Sequence, residues 1–435
     1  MPVFANGVPD PALPAPHAGV ALPPRVLGTV FMIALIVFLL GPRASPGILV
    51  LLALPAVMLA LTNPPALIPE RNALWLTIGG FLIYLCVNAT WAVSPPTAYA
   101  KIGEVALLLA LTQLAIAWTR QASEAALARI VEGMLIGIGI GTAYLMIELL
   151  SGQAIERFLF NLIPAIRPPD KNLTIENGVI VAMRLDGLNF NLAAQQLALW
   201  PAMLIIACRC DASRARMAMV TLFAAAAVCA YASVHETSKM AVVLSGLAFL
   251  IARSKPVLMR RLAAIGWIAA VLLVVPLALF AFKQELHLVQ QLPTPVKQRI
   301  ILWGVTAQKV SEAPIGGIGV RSTKIDFTAE GNTQIRPEGF AFPLTTSRHA
   351  HNVYLQTWYE LGGIGAAFLL TFGLVLLNLI GRLSERAQPY ALAGFVTAAV
   401  TAAFSWGMWQ AWFMSAFMIS VMLMASAIHI ARSRE

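Results

Sequence analysis

The sequence predicts an all-α polytopic membrane protein, and three observations predict it. Of 435 residues, 59% are hydrophobic and 11% are charged, against roughly 25% charged in a typical soluble domain. Apolar stretches recur along the chain at lengths close to the roughly 20 residues a membrane helix needs. Those stretches are continuous rather than alternating, which argues against a transmembrane β-barrel. An ordinary soluble globular protein and a disordered chain are both excluded.

The elements follow in order. The first 24 residues hold seven prolines and neither Lys nor Arg. Without a basic start and an apolar centre, residues 1–25 read as a flexible tail and not as a cleaved signal peptide. Residues 26–435 read as a single transmembrane domain of about 12 helices. The spans are about 26–41, 47–62, 73–92, 102–119, 127–150, 189–207, 217–235, 239–252, 262–282, 353–380, 391–407 and 410–430. Pro55, Pro201 and Pro276 fall within spans and are expected to kink them. Cys86, Cys208, Cys210 and Cys229 suggest neither a disulfide framework nor a metal site.

Basic residues set the orientation. One side carries Arg25, Arg71, Arg120, Arg129, Arg209, Arg214, Arg216, Arg253, Lys255, Arg260, Arg261, Arg382, Arg386, Arg432 and Arg434, a total of 15. Short loops on the other side carry only Arg43, Lys101 and Lys239. Both termini are therefore expected in the cytoplasm. The other 12 basic residues lie in two long outside loops, 151–188 and 283–352. Such loops cross largely regardless of charge, so some of their cations are expected to serve a ligand.

The second loop is too long for a simple connector. Gln298–Val310 reads as an amphipathic helix, with Trp303 able to lie at an interface, and Pro314, Gly316, Gly317 and Gly319 end it in a tight turn. Arg348-His349-Ala350-His351-Asn352 closes the loop at the mouth of the tenth span. A helix starting there aims its free N–H groups at the same spot, which favours anions and a neutral imidazole. Asn352, Gln356 and Glu360 then form one stripe of the span. Glu360 is either functional or a buried carboxylate capping a neighbouring helix. Gly362, Gly363 and Gly365 read as packing residues.

The cations Arg184, Lys239, Arg299, Arg321 and Arg348 gather on one side of the membrane with His349 and His351. Singly, each is most often a solvated charge, and Lys239 on its short loop could simply snorkel. As a set beside histidines, they suit a lipid-linked phosphate or pyrophosphate. No phosphate-loop or dinucleotide motif is present, and His349-x-His351 is too thin for zinc. Neither a metal nor another cofactor is expected, and no nucleic acid. Trp406, Trp409 and Trp412 read as an interfacial belt, and His235 beside Glu236 as an interfacial polar pair.

Four segments resemble the O-antigen ligase and polymerase superfamily of bacterial inner membranes. They are Trp91-Ala92-Val93-Ser94-Pro95-Pro96; Arg184 to Asn191; Arg299-x-x-Leu302-Trp303 with Pro314, Gly317 and Gly319; and His349-Ala350-His351-Asn352-x-Tyr354-Leu355-Gln356 leading to Glu360-Leu361-Gly362-Gly363-x-Gly365. The last is the most specific. Where relatives are expected to carry Ser-Arg, this chain has Ser238-Lys239, which keeps the charge and loses the bidentate fork.

The resemblance implies a glycosyltransferase of the C-type membrane fold with its active site in the periplasm. Its donor would be a glycan on undecaprenyl pyrophosphate. Its acceptor would be a sugar hydroxyl of lipid A–core, with inversion and without metal. It implies His351 as general base, and Arg184, Arg299 and Arg321 as pyrophosphate ligands assisted by Lys239 and Arg348. His349, Asn352 and Gln356 would orient groups. An O-antigen polymerase or a protein O-oligosaccharyltransferase would use the same donor. A lipid-linked oligosaccharide flippase is the alternative from another class, disfavoured by few interior acids and a one-sided cluster. A membrane scaffold leaves that cluster unexplained.

Overall fold

The computed structural model describes residues 22–62, 72–329 and 345–432. Almost all of the expected tail, together with Arg71, Arg336 and Arg434, lies outside the described residues. The first half runs α1 (Pro24–Leu40), α2 (Ser45–Thr62), α3 (Ala73–Asn88), α4 (Pro95–Gln121), α5 (Glu124–Leu150) and the short α6 (Ala154–Leu162). A hairpin of β1 (Leu173–Glu176) and β2 (Val179–Met183) follows. Next come α7 (Asn189–Arg209), α8 (Ala212–Ala232), α9 (Glu236–Ser254), α10 (Pro256–Lys283), α11 (Thr294–Val310) and α12 (Ser322–Ala329). The chain finishes with α13 (Val353–Ile380), α14 (Gln388–Phe404) and α15 (Ala411–Arg432).

Each expected span coincides with one helix, so the architecture is an all-α polytopic bundle. Among the described residues, nine segments are long and apolar enough to cross a membrane, and Pro24–Leu40, Pro42–Met58 and Gln388–Phe404 are shorter apolar helices. Local chemistry marks the ends. Proline occupies the first turn of α1, α4 and α10, where its missing N–H costs nothing. Asn72, Ser123 and Asp211 cap α3, α5 and α8 by accepting first-turn N–H groups.

The central helix is α7, whose apolar window is 89% buried, among α5, α8, α14 and α15. Lipid tails are as apolar as leucine, so close packing rather than water exclusion holds such helices together. At the α1–α5 crossing, a Cβ on Gly133 would fall 2.0 Å from the Gly28 carbonyl oxygen. Only glycine permits that approach.

The two long loops have structure of their own. In the first, β1 and β2 pair antiparallel through Asn177 and Gly178, both at positive φ, as an Asn-Gly hairpin turn requires. In the second, α11 spans the predicted amphipathic segment and begins four residues earlier. Both loops, the α1–α2 joint, the start of α4 and the α14–α15 joint occupy the same end of the bundle.

Candidate active site

The α14–α15 joint departs from the sequence expectation. The helical spacing of Trp406, Trp409 and Trp412 suggested a belt, but the chain leaves the helix at Ser405 (φ −112°, ψ −96°). Residues 405–410 form a loop, and Trp409 and Trp412 are buried. Trp409 donates its indole N–H to the Glu360 carboxylate. Trp406 and Trp412 meet edge to face at 4.6 Å, and Phe190 stacks on Trp406 at 5.0 Å.

These aromatics wall a cavity of about 710 Å³. Its cations are Arg43, Lys101, Arg321, Lys324 and Arg348, and its other polar walls include His349, Gln356 and Glu360. The Arg43 guanidinium lies over the Phe190 ring, 4.4 Å from its centroid. Lys101 is buried and paired with Glu104.

Glu360 holds one wall in place. It is fully buried and takes four donors: the backbone N–H groups of Arg321 and Thr323 at 3.1 Å each, the Gln356 amide at 3.3 Å, and Trp409. Thr323 lies in the first turn of α12, so the carboxylate caps that helix, as one of the two sequence readings held. The turn before α12 docks on α13 as well. Ile318 and Gly319 donate to the carbonyls of Tyr359 and Glu360 at 3.1 and 2.9 Å, and Gly363 donates to Pro314 at 2.8 Å. This pairing is possible because α13 breaks at Gly362 (φ 62°, ψ −164°). A Cβ on Gly317 would lie 2.3 Å from the Glu360 carbonyl carbon, and one on Gly362 would lie 2.2 Å from the Ile315 oxygen. Asn88 at the end of α3 donates to Gly316, and Trp91 donates to Gly317. Three of the four family-like segments therefore meet at one point.

The histidines stand beside this wall. Trp303 on α11 donates to the Ala350 carbonyl at 2.8 Å, pinning the segment between them. The His349 and His351 rings approach edge to face at 4.1 Å. Nδ1 of His351 lies 2.6 Å from the Ser405 carbonyl oxygen. A carbonyl only accepts, so Nδ1 carries the proton and Nε2 keeps its lone pair. Burial, and then Arg299, hold the imidazolium form of His351 below its ordinary range, while the Ser405 bond works the other way. His349 is pushed down to about 3 by burial and by His351, and its Nδ1 is buried with no hydrogen-bond partner among the described residues.

Arg299 is itself largely desolvated, which lowers its pKa, while Glu236 opposes that shift. It also acts on His235, which burial drives to about 3. Lys239 pairs with Glu236 at 2.8 Å. Arg299, Lys239, Glu236 and His235 thus form a second charged group next to His351.

Of the residues expected from sequence, Arg321, Arg348, His349 and Gln356 line the cavity. His351 adjoins it through His349, and Arg299 and Lys239 belong to the neighbouring group. Asn352 is the N-cap of α13, taking the Leu355 N–H at 3.0 Å, which uses one of the N–H groups expected to be free. Gln356 spans two elements, donating to Glu360 and accepting the Met408 N–H at 3.1 Å. Arg184 is exposed and forks onto Asp186, at 2.7 and 3.1 Å, away from the cavity walls. The sequence reading missed Arg43, Lys101, Lys324, Phe190, Trp406 and Trp412 as walls of one chamber. Among the described residues, no three His, Cys, Asp or Glu side chains converge as metal ligands.

Fold and site together define a multi-pass membrane protein with a cationic, aromatic-walled chamber beside a tautomer-fixed histidine at one end of its bundle. Residues 201–370 match a family model described as O-antigen ligase, which supports the O-antigen ligase superfamily for this chain. The matched stretch carries Arg299, Arg321, His349 and His351. That family consists of glycosyltransferase-like ligases and polymerases whose substrates are lipid-linked glycans and lipid acceptors. No curated protein matches the sequence.

Proposed function

We propose that the protein is an O-antigen ligase. It takes a glycan from undecaprenyl pyrophosphate and joins it to a sugar hydroxyl of lipid A–core at the periplasmic face of a Gram-negative inner membrane. The start of α1 and the end of α15 face the cytoplasm, twelve helices span the bilayer, and the fold is of the C type. The observation that carries this reading is the chamber lined by Arg43, Lys101, Arg321 and Arg348, set against a histidine whose Nδ1 is committed to Ser405.

Nε2 of His351 takes the proton of the acceptor hydroxyl as its oxygen attacks the anomeric carbon. The bond from that carbon to the pyrophosphate oxygen breaks, and the electron pair leaves on the phosphate. A single displacement inverts the anomeric centre. Arginine forks and the lysine ammonium neutralise the leaving pyrophosphate without a metal, with Arg299 and Lys239 on the side nearer His351. Arg184 reaches the donor from the outer rim, its fork exchanging Asp186 for phosphate. Phe190, Trp406 and Trp412 offer faces for sugar rings. Asn352 and Gln356 hold the histidine segment and the 405–410 loop in register.

Donor binding also tunes the base. In the free enzyme, Arg299 disfavours the imidazolium of His351. A bound pyrophosphate offsets that cation, so His351 gains basicity when the donor is present.

The test is a reconstituted transfer assay with glycan-linked undecaprenyl pyrophosphate, with and without lipid A–core, in EDTA. Glycan on lipid A–core is the expected product. Longer glycans on undecaprenyl pyrophosphate in the absence of acceptor would make the protein a polymerase. Lipid movement across the bilayer without transfer would make it a flippase.

A further inference from the structure

A second concavity shares no lining residue with the first. It is a groove of about 960 Å³ bounded by α7, α8, α9 and α14. Its floor is apolar and aromatic. Trp200, Phe249 and Tyr390 form a chain of rings at 5.1 and 4.9 Å, and Phe223 tilts against Trp200 at 5.9 Å. The lips, among them Val220, Tyr231, Leu247 and Leu250, are between 51% and 63% exposed. In a membrane those lips face lipid.

One end of the groove is charged and the rest is not. Arg216 opens α8, Arg253 closes α9, and Glu385 and Arg386 precede α14. All three arginines are exposed. The local sum is three cations against one carboxylate. No salt bridge joins Glu385 to any of the three among the described residues. Arg386 is fixed by donating to the Ala207 carbonyl at the end of α7, and Arg253 lies 5.9 Å from the centroid of the Phe249 ring. From Arg216 to Tyr231 the groove follows α8 for 15 residues, roughly 22 Å at about 1.5 Å per residue. That exceeds half of a hydrocarbon core about 30 Å thick.

We propose that this groove binds one anionic phospholipid of the cytoplasmic leaflet, its phosphate among Arg216, Arg253 and Arg386 and an acyl chain along the aromatic floor. Charge complementarity selects the occupant. An apolar trough alone accepts any lipid tail, whereas uncompensated arginines at the water boundary discriminate for an anionic headgroup. The donor's pyrophosphate would belong to the other end of the bundle, where the histidine chamber lies. The leaflet assignment rests on the orientation given by the basic loops, and the binding itself does not depend on the transfer reaction.

The experiment is native mass spectrometry of the full-length protein from detergent, titrated with phosphatidylglycerol or with phosphatidylcholine of the same chains. Thermal unfolding is measured in parallel. One phosphatidylglycerol should bind and raise the unfolding temperature, and phosphatidylcholine should bind at least tenfold more weakly. Changing Arg216, Arg253 and Arg386 together to Gln should remove that preference. Arg260→Gln with Arg261→Gln, on the same membrane face but outside the groove lining, should retain it. Should the triple variant not fold, Ala227→Trp fills the groove and should abolish binding with the arginines intact. Equal binding of the two lipids would overturn the proposal. So would an unchanged preference in the triple variant, or undecaprenyl phosphate occupying the groove in place of the phospholipid whether or not the arginines are present.

Discussion

Among single residues, His351 carries the most specific expectation. Its Nδ1 is committed to Ser405, so Nε2 alone is available for proton transfer. His351→Ala should lower turnover by about 10²- to 10⁴-fold, the range for loss of a general base, with thermal unfolding unchanged as the control for folding. The pH dependence follows from the direction of the shift. An imidazole held below its ordinary value of about 6.5 is neutral, and base-competent, at pH 7. The acid limb of kcat/KM, which reports the free enzyme, should therefore fall below pH 6.5. The limb of kcat should lie higher if, as proposed, a bound pyrophosphate offsets Arg299. Coincident limbs would remove Arg299 from that role. Stability responds to His349 and His235, whose folded values are near 3. Between about pH 6.5 and 3 the unfolded chain binds more protons than the folded one, so stability should fall as pH is lowered through that window. His349→Gln should flatten the fall, as read by thermal melts.

At the scale of elements, the decisive unit is the turn clasped between α3 and α13. Gly317→Ala places a Cβ on the Glu360 backbone at positive φ, and should cost at least about 1–3 kcal/mol. Donor affinity should drop with it, since the turn carries Arg321 and Lys324 into the chamber; unfolding and donor-binding titrations would show both. Glu360→Gln leaves four N–H donors facing a group that is itself half donor. It should destabilise by about 1–3 kcal/mol and weaken donor binding while leaving the pH profile of His351 in place. An unchanged donor affinity would mean that the clasp does not position the cations. This scale also separates what sequence could show from what it could not. The His-Ala-His-Asn mouth and the amphipathic α11 were legible because their meaning is local. Arg43 and Lys101 read only as cations on short loops, because Phe190 and the 405–412 segment arrive from far along the chain. The tryptophans misled through their own periodicity: spacing implies a face only while the chain stays helical, and it does not at Ser405. The hairpin was readable from Asn177-Gly178 flanked by strand-forming residues, a signal passed over in a chain dominated by helices.

For the whole molecule, hydropathy was sufficient for the helix order, since lipid leaves the backbone few alternatives. Sidedness makes a direct prediction. Cys210 is exposed at the α7–α8 joint, the end rich in arginine. A membrane-impermeant thiol reagent applied to intact spheroplasts should leave it unlabelled and should label it after permeabilisation. A cysteine introduced at Gly187, in the opposite loop, should react in both. Reversed labelling would invert the orientation, and with it the compartment in which the chamber opens.

The clasp on Glu360 has a consequence for the timing of electrostatic cost. Gathering Arg43, Arg321 and Arg348 around one cavity costs electrostatic energy that a bound anion would offset. Here the backbone amides of Arg321 and Thr323 are anchored to a buried carboxylate, and Arg321 is held at a φ of 60°. The repulsion and the strain are incurred once, when the chain folds, and need not be met again at each catalytic cycle. The chamber is thereby preorganised: under the proposed function, a pyrophosphate would enter a field already aligned to receive it, and the leaving charge would appear among dipoles that do not have to move.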